Sequence, residues 1–94
     1  MKIIVAYDII KNKTRNEIVE LLFFYGLLRV QNSVFFGDLK KNKIKNIISR
    51  IKNIKIEEND SIYIFKLCEK DFKNIKFFGK SINLYYIEND FIFI

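Results

Sequence analysis

One acidic residue, Asp8, directly follows an apolar run of five residues near the start of the chain, Ile3-Ile4-Val5-Ala6-Tyr7. A carboxylate at the mouth of a buried strand costs free energy unless a metal ion or a hydrogen-bond donor engages it. Two arginines, Arg15 and Arg29, follow within the next stretch of chain and can donate in pairs to a phosphate oxygen. A carboxylate with arginines suits metal-assisted phosphodiester hydrolysis, in which a hard cation polarises a phosphoryl oxygen. The alternative is that Asp8 caps a helix or accepts backbone donors.

Composition narrows the chemistry further. The chain has no histidine and one cysteine, Cys68, which excludes Ser-His-Asp and Cys-His catalysis and histidine-based zinc sites. We expect Cys68 to be a buried structural thiol, since it follows an apolar run. Any metal must be a hard cation bound by oxygen, with Mg²⁺ or Mn²⁺ favoured. No signal peptide or membrane-spanning stretch is visible, so we expect a cytoplasmic protein.

Size and charge indicate a single domain over residues 1–94 that pairs with itself and with a polyanion. Half of the 94 residues are apolar and ten are Phe, more than a small two-layer domain readily buries. A homodimer would bury the surplus, and the alternative is a richly packed monomer. The net charge of +6 favours phosphate backbones. Part of the lysine excess can reflect AT-rich codons, because Ile, Asn, Phe and Tyr are abundant too.

The element pattern begins with a central strand over residues 2–8, on which Ile4, Ala6 and Asp8 share one face. A helix follows, starting at a Thr14–Glu17 capping box or earlier at Asn12 and ending at Gly26. Its core stripe consists of Ile18, Leu21, Leu22 and Tyr25.

Leu28 to Leu39 predicts two short strands meeting near Asn32-Ser33, or one bent strand. We expect Asp38 to cap a second helix. The helix carries an isoleucine stripe (Ile44, Ile47, Ile48 and Ile51). Its lysine-rich opposite face is either solvated or in contact with nucleic acid.

A strand over Ser61–Leu67 points Ile62 and Ile64 one way and Tyr63, Phe65 and Leu67 the other. A short strand over Ile75–Phe78 follows, and Leu84–Ile87 with Phe91–Ile94 predicts a hairpin tail within residues 80–94. The order β-α-β-β-α-β predicts an α+β, ferredoxin-like sandwich with a C-terminal strand extension. Both helices then cover one sheet face. The other face would expose Phe65 unless two sheets pair face to face, with the tail joining the partner.

Several of these segments, in order, resemble the CRISPR-associated protein 2 family. They are Tyr7-Asp8-Ile9 with Arg15 and Asn16, Tyr25-Gly26-Leu27, the run from Arg29 to Leu39 (RVQNSVFFGDL), Asp60-Ser61-Ile62 and Leu67-Cys68-Glu69. The resemblance covers roughly residues 2–79. It implies a homodimer that takes part in spacer acquisition for antiviral defence, binds prespacer DNA and the CRISPR-associated integrase, and has Mg²⁺-dependent endonuclease activity on RNA or DNA.

By the same resemblance, Asp8 binds the metal, with one copy from each subunit, while Tyr7, Arg15, Arg29, Ser33 and Phe35 surround the site. Glu17 departs from the pattern of members that have a second helix arginine there, which loses a cation near the phosphate path. From the residues alone, two Asp8 carboxylates brought together repel unless Mg²⁺ lies between them. One carboxylate per subunit predicts weak metal affinity and slow turnover.

Purely structural roles also remain open for these residues. Tyr7 and Phe35 can be core or interface aromatics, Arg29 can pair with a cross-strand carboxylate, and Ser33 can be a strand-junction residue. Two other functions also remain. The protein can be a non-catalytic nucleic-acid-binding scaffold, or a toxin-like endoribonuclease of the virulence-associated D type.

Overall fold

A computed structural model describes residues 1–79 and 92–93 of the chain. Within these residues the elements in chain order are β1 (Lys2–Asp8), α1 (Asn12–Phe24), β2 (Leu28–Gln31), β3 (Val34–Asp38), α2 (Lys41–Lys52), β4 (Ser61–Leu67), α3 (Glu69–Lys73), β5 (Lys76–Phe77) and β6 (Ile92–Phe93). None of the described helices is long and apolar enough to cross a bilayer.

Four strands form one antiparallel sheet in the order β2-β3-β1-β4. The stripes of α1 (Ile18, Leu21, Leu22) and α2 (Ile44, Ile47) are buried together with the β1 residues Ile3, Val5 and Tyr7. Both helices therefore cover the same face of the sheet. The predicted ferredoxin-like α+β fold is confirmed, as are the two strands that meet at Asn32-Ser33.

The second face of the sheet carries no α1 or α2. Pairs of residues directly opposite each other in antiparallel strands share a face, and here these pairs are Ile4 with Phe65 and Ala6 with Tyr63. Tyr63 is 58% and Phe65 49% exposed, and their rings stack with centroids 6.1 Å apart. We call the region formed by Ala6, Asp8, Tyr63 and Phe65 the open face. The predicted exposure of Phe65 is confirmed.

The starts of both long helices differ from the prediction. Lys11 occupies the N-cap of α1 without a side-chain cap, so neither a Thr14 capping box nor an Asn12 cap forms. Lys40 occupies the N-cap of α2. Asp38 is instead the last residue of β3, where it accepts from the Met1 ammonium at 3.2 Å and from Lys2 Nζ at 3.3 Å. Because these two cations bind the Asp38 carboxylate, Asp38 does not cap α2 as its position in the sequence predicted.

The helix α3 was not predicted, and it covers one end of the second sheet face. Phe72 is fully buried there and stacks on Phe36 at 5.2 Å, with Lys2 Nζ 4.9 Å from its ring centre. Cys68, expected to be buried, is exposed because it is the N-cap of α3, and its Sγ accepts from the Asp71 N–H at 3.5 Å.

The short strand predicted at Ile75–Phe78 is present as β5, and Gly79 follows with φ +90°. β5 pairs in parallel with β6, which lies inside the predicted segment Phe91–Ile94. The first strand of the predicted hairpin and its turn, residues 84–90, lie outside the described residues.

Candidate functional site

Asp8 ends β1 on the open face, directly opposite Ser61 of β4. Its side chain is exposed. Among the described residues no donor or cation engages the carboxylate. Within the described residues Asp8 therefore neither caps α1, whose N-cap is Lys11, nor accepts a backbone donor with its side chain. An acceptor with free lone pairs remains at the rim of an exposed aromatic surface.

The loop after Asp8 is fixed by a second acidic residue, Asp60. Its two carboxylate oxygens accept from the backbone N–H groups of Ile10 at 3.1 Å and Glu57 at 2.9 Å. The Glu57 N–H, followed by that of Ile10, holds the pKa of Asp60 below its ordinary value. These bonds tie the β1–α1 loop to the turn before β4, and so fix the backbone that leaves Asp8. From sequence, the Asp60 region was predicted only as a polar turn.

At the same end of the sheet lies a cleft of about 360 Å³, which we call the basic cleft. It is lined by Tyr7, Arg15, Asn16, Val19, Arg29, Asn32 and Ser33. The Tyr7 hydroxyl donates to the Asn32 carbonyl at 3.1 Å, and the Tyr7 N–H donates to the Ser33 carbonyl at 3.1 Å. Both bonds hold the β2–β3 turn against the end of β1, so the wall of the cleft is built from backbone that is already ordered.

The two arginines of the basic cleft are positioned differently. Arg15 donates to the Ile9 carbonyl at 3.0 Å and also to the Asn12 side chain, so it braces the loop after Asp8 from the first turn of α1. The Arg29 guanidinium lies over the rings of Phe23 and Phe35, 5.6 and 5.2 Å from their centroids. Stacking on two aromatic rings holds the plane of the guanidinium in place through cation–π attraction.

Four of the residues implied by the resemblance thus line one cleft: Tyr7, Arg15, Arg29 and Ser33. Phe35 is fully buried beneath Arg29, as a core aromatic. Asp8 does not line the cleft, because successive strand residues point to opposite faces and Tyr7 is its neighbour. Within one chain, Asp8 and the two arginines of the basic cleft therefore lie on opposite sides of the end of β1.

Phe23 supports the Arg29 side chain of the basic cleft, a role that was not predicted from the sequence. It falls outside the core stripe of α1 and is 51% exposed, yet its ring meets Phe35 edge-on at 5.1 Å and supports Arg29. An apolar residue on the polar side of an amphipathic helix was the available signal.

The donor set of one chain does not complete a metal site. Within the described residues no three acidic or cysteine side chains come together to hold a metal ion. Mg²⁺ retains several waters and is held in proteins by as few as one or two carboxylates. Asp8 fits such an ion only if a second carboxylate joins it, and the face on which Asp8 lies is the face left open.

Comparison with known proteins gives a consistent result. The family model described as CRISPR associated protein Cas2 matches residues 1–75. A protein of Desulforudis audaxviator named CRISPR-associated endoribonuclease Cas2 is 36% identical over 73 residues, or 78% of this chain and 69% of that protein. The crystal structure of Streptococcus pyogenes Cas2 matches with a TM-score of 0.64 and 31% identity, covering 73% of this chain and 88% of that one. A Thermoproteus tenax protein named CRISPR-associated endonuclease Cas1/endonuclease Cas2 fusion is 36% identical over 70 residues, covering 74% of this chain and 26% of the fusion.

Proposed function

The chain belongs to the CRISPR-associated Cas2 family, and we propose that it acts in spacer acquisition as a homodimer with metal-dependent endonuclease activity. The observation that carries this proposal is the exposed, unengaged Asp8 carboxylate on the rim of the open face. Relatives named as endoribonucleases support the nuclease class.

The open face supports self-association. The stacked pair Tyr63 and Phe65 exposes a large aromatic surface beside Asp8, and a monomer gains nothing from leaving it in water. Two copies that meet through this face about a two-fold axis present the same residues to each other. The same contact brings the two Asp8 residues toward one axis.

Paired Asp8 carboxylates repel each other unless a cation lies between them. The two Asp8 carboxylates would hold Mg²⁺ or Mn²⁺, which would supply a Lewis acid toward a phosphoryl oxygen. Around it the chain orients the substrate: Arg15 and Arg29 bind phosphate groups entering from the basic cleft, and Tyr7 and Ser33 keep the cleft wall in place. Among the described residues that line the basic cleft, no carboxylate or lysine can serve as a base for Ser33, so we assign Ser33 to holding the turn and not to nucleophilic attack.

A role in spacer acquisition also requires binding partners, which are the integrase subunit and prespacer DNA. The Thermoproteus tenax relative is named as a fusion of endonuclease Cas1 and endonuclease Cas2, and this shared polypeptide supports an association between the two kinds of protein. We propose that this chain likewise binds the integrase subunit and holds prespacer DNA. A purely scaffolding role is the second candidate, and the position of the arginines behind the strand that bears Asp8 favours it.

Cleavage assays separate the two candidates. Wild type and Asp8→Asn are incubated with labelled single-stranded RNA and duplex DNA, in Mg²⁺ or EDTA, after matching by gel filtration. Asn preserves size and removes the charge, so we expect cutting that needs metal and is lost in the variant. If both proteins cut alike, contaminating nuclease explains the activity. If neither cuts while both bind duplex, the protein is a scaffold and Asp8 is not catalytic.

A further inference from the structure

A second cationic surface lies on α2, away from the basic cleft. Its core is a cleft of about 270 Å³ lined by Met1, Lys41, Ile44, Lys45 and Lys66. Lys66 is opposite Ile3 in the sheet and so is on the helix-covered side. Lys52 is on the same flank of α2 as Lys41 and Lys45, because residues four and seven apart share one side of a helix. We call the set Lys41, Lys45, Lys52 and Lys66 the α2 flank.

The charge of the α2 flank is uncompensated. α2 contains no acidic residue, and its sequence from residue 41 is KNKIKNIISRIK. The ion pairs of the described residues use the Met1 ammonium, Lys2 and Lys11, and none uses a cation of α2 or Lys66. Lys41 and Lys45 are four residues apart on one side, a spacing at which like charges destabilise a helix.

The position of these lysines along the helix is also unfavourable for the isolated protein. Lys40, Lys41 and Lys43 cluster at the start of α2, where the helix dipole favours anions, and no acidic residue occupies the first turn. Arg50, by contrast, is near the other end and lies over the rings of Phe24 and Tyr25. Charges that oppose local helix stability and have no ion-pair partner among the described residues mark a surface that a polyanion would stabilise.

We infer that the α2 flank is a second phosphate-binding surface, which tracks the backbone of a nucleic acid. The inference rests on the proposed function for the identity of its ligand. From Lys41 to Lys52 the helix rises about 16 Å at about 1.5 Å per residue. That distance matches about five base-pair steps of about 3.4 Å along the axis of a duplex. Lysines recognise phosphate as point charges, so binding at this flank is independent of sequence.

The cleft lined by Lys41, Lys45 and Lys66 lies at the opposite end of this side of the sheet from the basic cleft. β1 runs from the Met1 end, near Lys66, to the Tyr7 end, where the basic cleft opens, and its seven residues span about 20 Å. A duplex that reaches both surfaces covers about six base-pair steps on each chain. The α2 flank therefore extends the phosphate path and is not a part of the basic cleft.

The test compares two triple variants with the same loss of charge. Lys41→Gln, Lys45→Gln and Lys66→Gln remove the cleft cations. Lys70→Gln, Lys73→Gln and Lys76→Gln remove exposed lysines of α3 and β5, elements outside the α1–α2 layer. Binding of labelled duplex DNA and duplex RNA is measured by fluorescence anisotropy between about 50 and 200 mM salt. Circular dichroism confirms that both variants are folded.

Each lost phosphate contact lowers the slope of log K against log salt by about 0.9, so the α2 variant should lose about 2 to 3 from the slope and bind at least tenfold more weakly. The α3–β5 variant should keep the wild-type slope. Equal losses in both variants, or in neither, overturn the inference and leave the nuclease proposal untouched. Competition by polyglutamate as strong as by duplex would identify an acidic protein as the ligand and also overturn it. A wild type that binds no duplex refutes the nucleic-acid function itself.

Discussion

Phe65 on the open face offers the sharpest perturbation of the proposed dimer. It is 49% exposed in the single chain. A phenylalanine side chain presents about 200 Å², so about 100 Å² of Phe65 is available for burial. At about 25 cal/mol per Å², covering it contributes about 2.5 kcal/mol per copy. A two-fold interface contains the residue twice, which makes about 5 kcal/mol per dimer.

Replacing Phe65 by Ser should therefore weaken dimerisation by about 10³-fold or more, since about 1.4 kcal/mol corresponds to a factor of ten. Sedimentation velocity over a dilution series measures this shift. Phe24→Ser is the matched control, because Phe24 is 75% exposed but belongs to α1, on the opposite side of the sheet. We expect the Phe24 variant to sediment as wild type.

Two results would contradict the open face as the dimer interface. If the Phe65 variant keeps the dimer of wild type, the open face is not the interface. If the Phe24 variant dissociates equally, the effect is a general loss of surface hydrophobicity and not a loss of a specific contact. Near-native circular dichroism in both variants is required, and half-exposed side chains satisfy it more readily than core residues do.

Two further predictions concern stability. A Cβ added at Gly37 would lie 2.8 Å from Leu27 Cγ, so Gly37→Ala should cost about 1–3 kcal/mol in urea unfolding; the cost should nearly vanish in a Leu27→Ala background, and persistence there would contradict the clash. The Met1 ammonium first, and Lys2 with it, hold the pKa of Asp38 below 3.8. The unfolded chain binds the proton more tightly, so this contribution is complete above pH 3.8 and is lost as pH falls through the folded-state pKa. Asp38→Asn should be less stable than wild type at neutral pH and converge with it in acid; a constant difference would be inconsistent with that pKa.

Hydrophobic periodicity was sufficient for the parts of the fold that position the site. The apolar alternation of β4 and the isoleucine stripe of α2 predicted both elements, because burial on one face dictates a repeat of 2 or 3.6 residues. Capping chemistry was a weaker guide. Asp38 has the residue type of an N-cap, but the Met1 ammonium and Lys2 lie beside it in the fold and are far away in sequence.

The helix α3 shows where periodicity has no power. Five residues make little more than one turn, too few for a repeat, and only Glu69 and Asp71 in the first turn with Lys73 in the last hinted at a helix. Its buried residue, Phe72, depends on a contact with Phe36 that is long-range in sequence. Strand alternation already put Tyr7 and Asp8 on opposite faces of β1. The lining of the basic cleft could not be predicted, because it depends on how α1 and the β2–β3 turn pack against the end of β1.

In the proposed dimer, two copies of Asp8 hold one divalent ion at the two-fold axis. Titration of the wild-type protein with Mn²⁺, followed by calorimetry or by the electron paramagnetic resonance of free Mn²⁺, measures the stoichiometry directly. We expect one Mn²⁺ ion for every two chains. We also expect this site to be lost in Asp8→Asn, and in the Phe65→Ser variant once that variant is monomeric. One ion per chain, or binding that persists in the monomer, would contradict it.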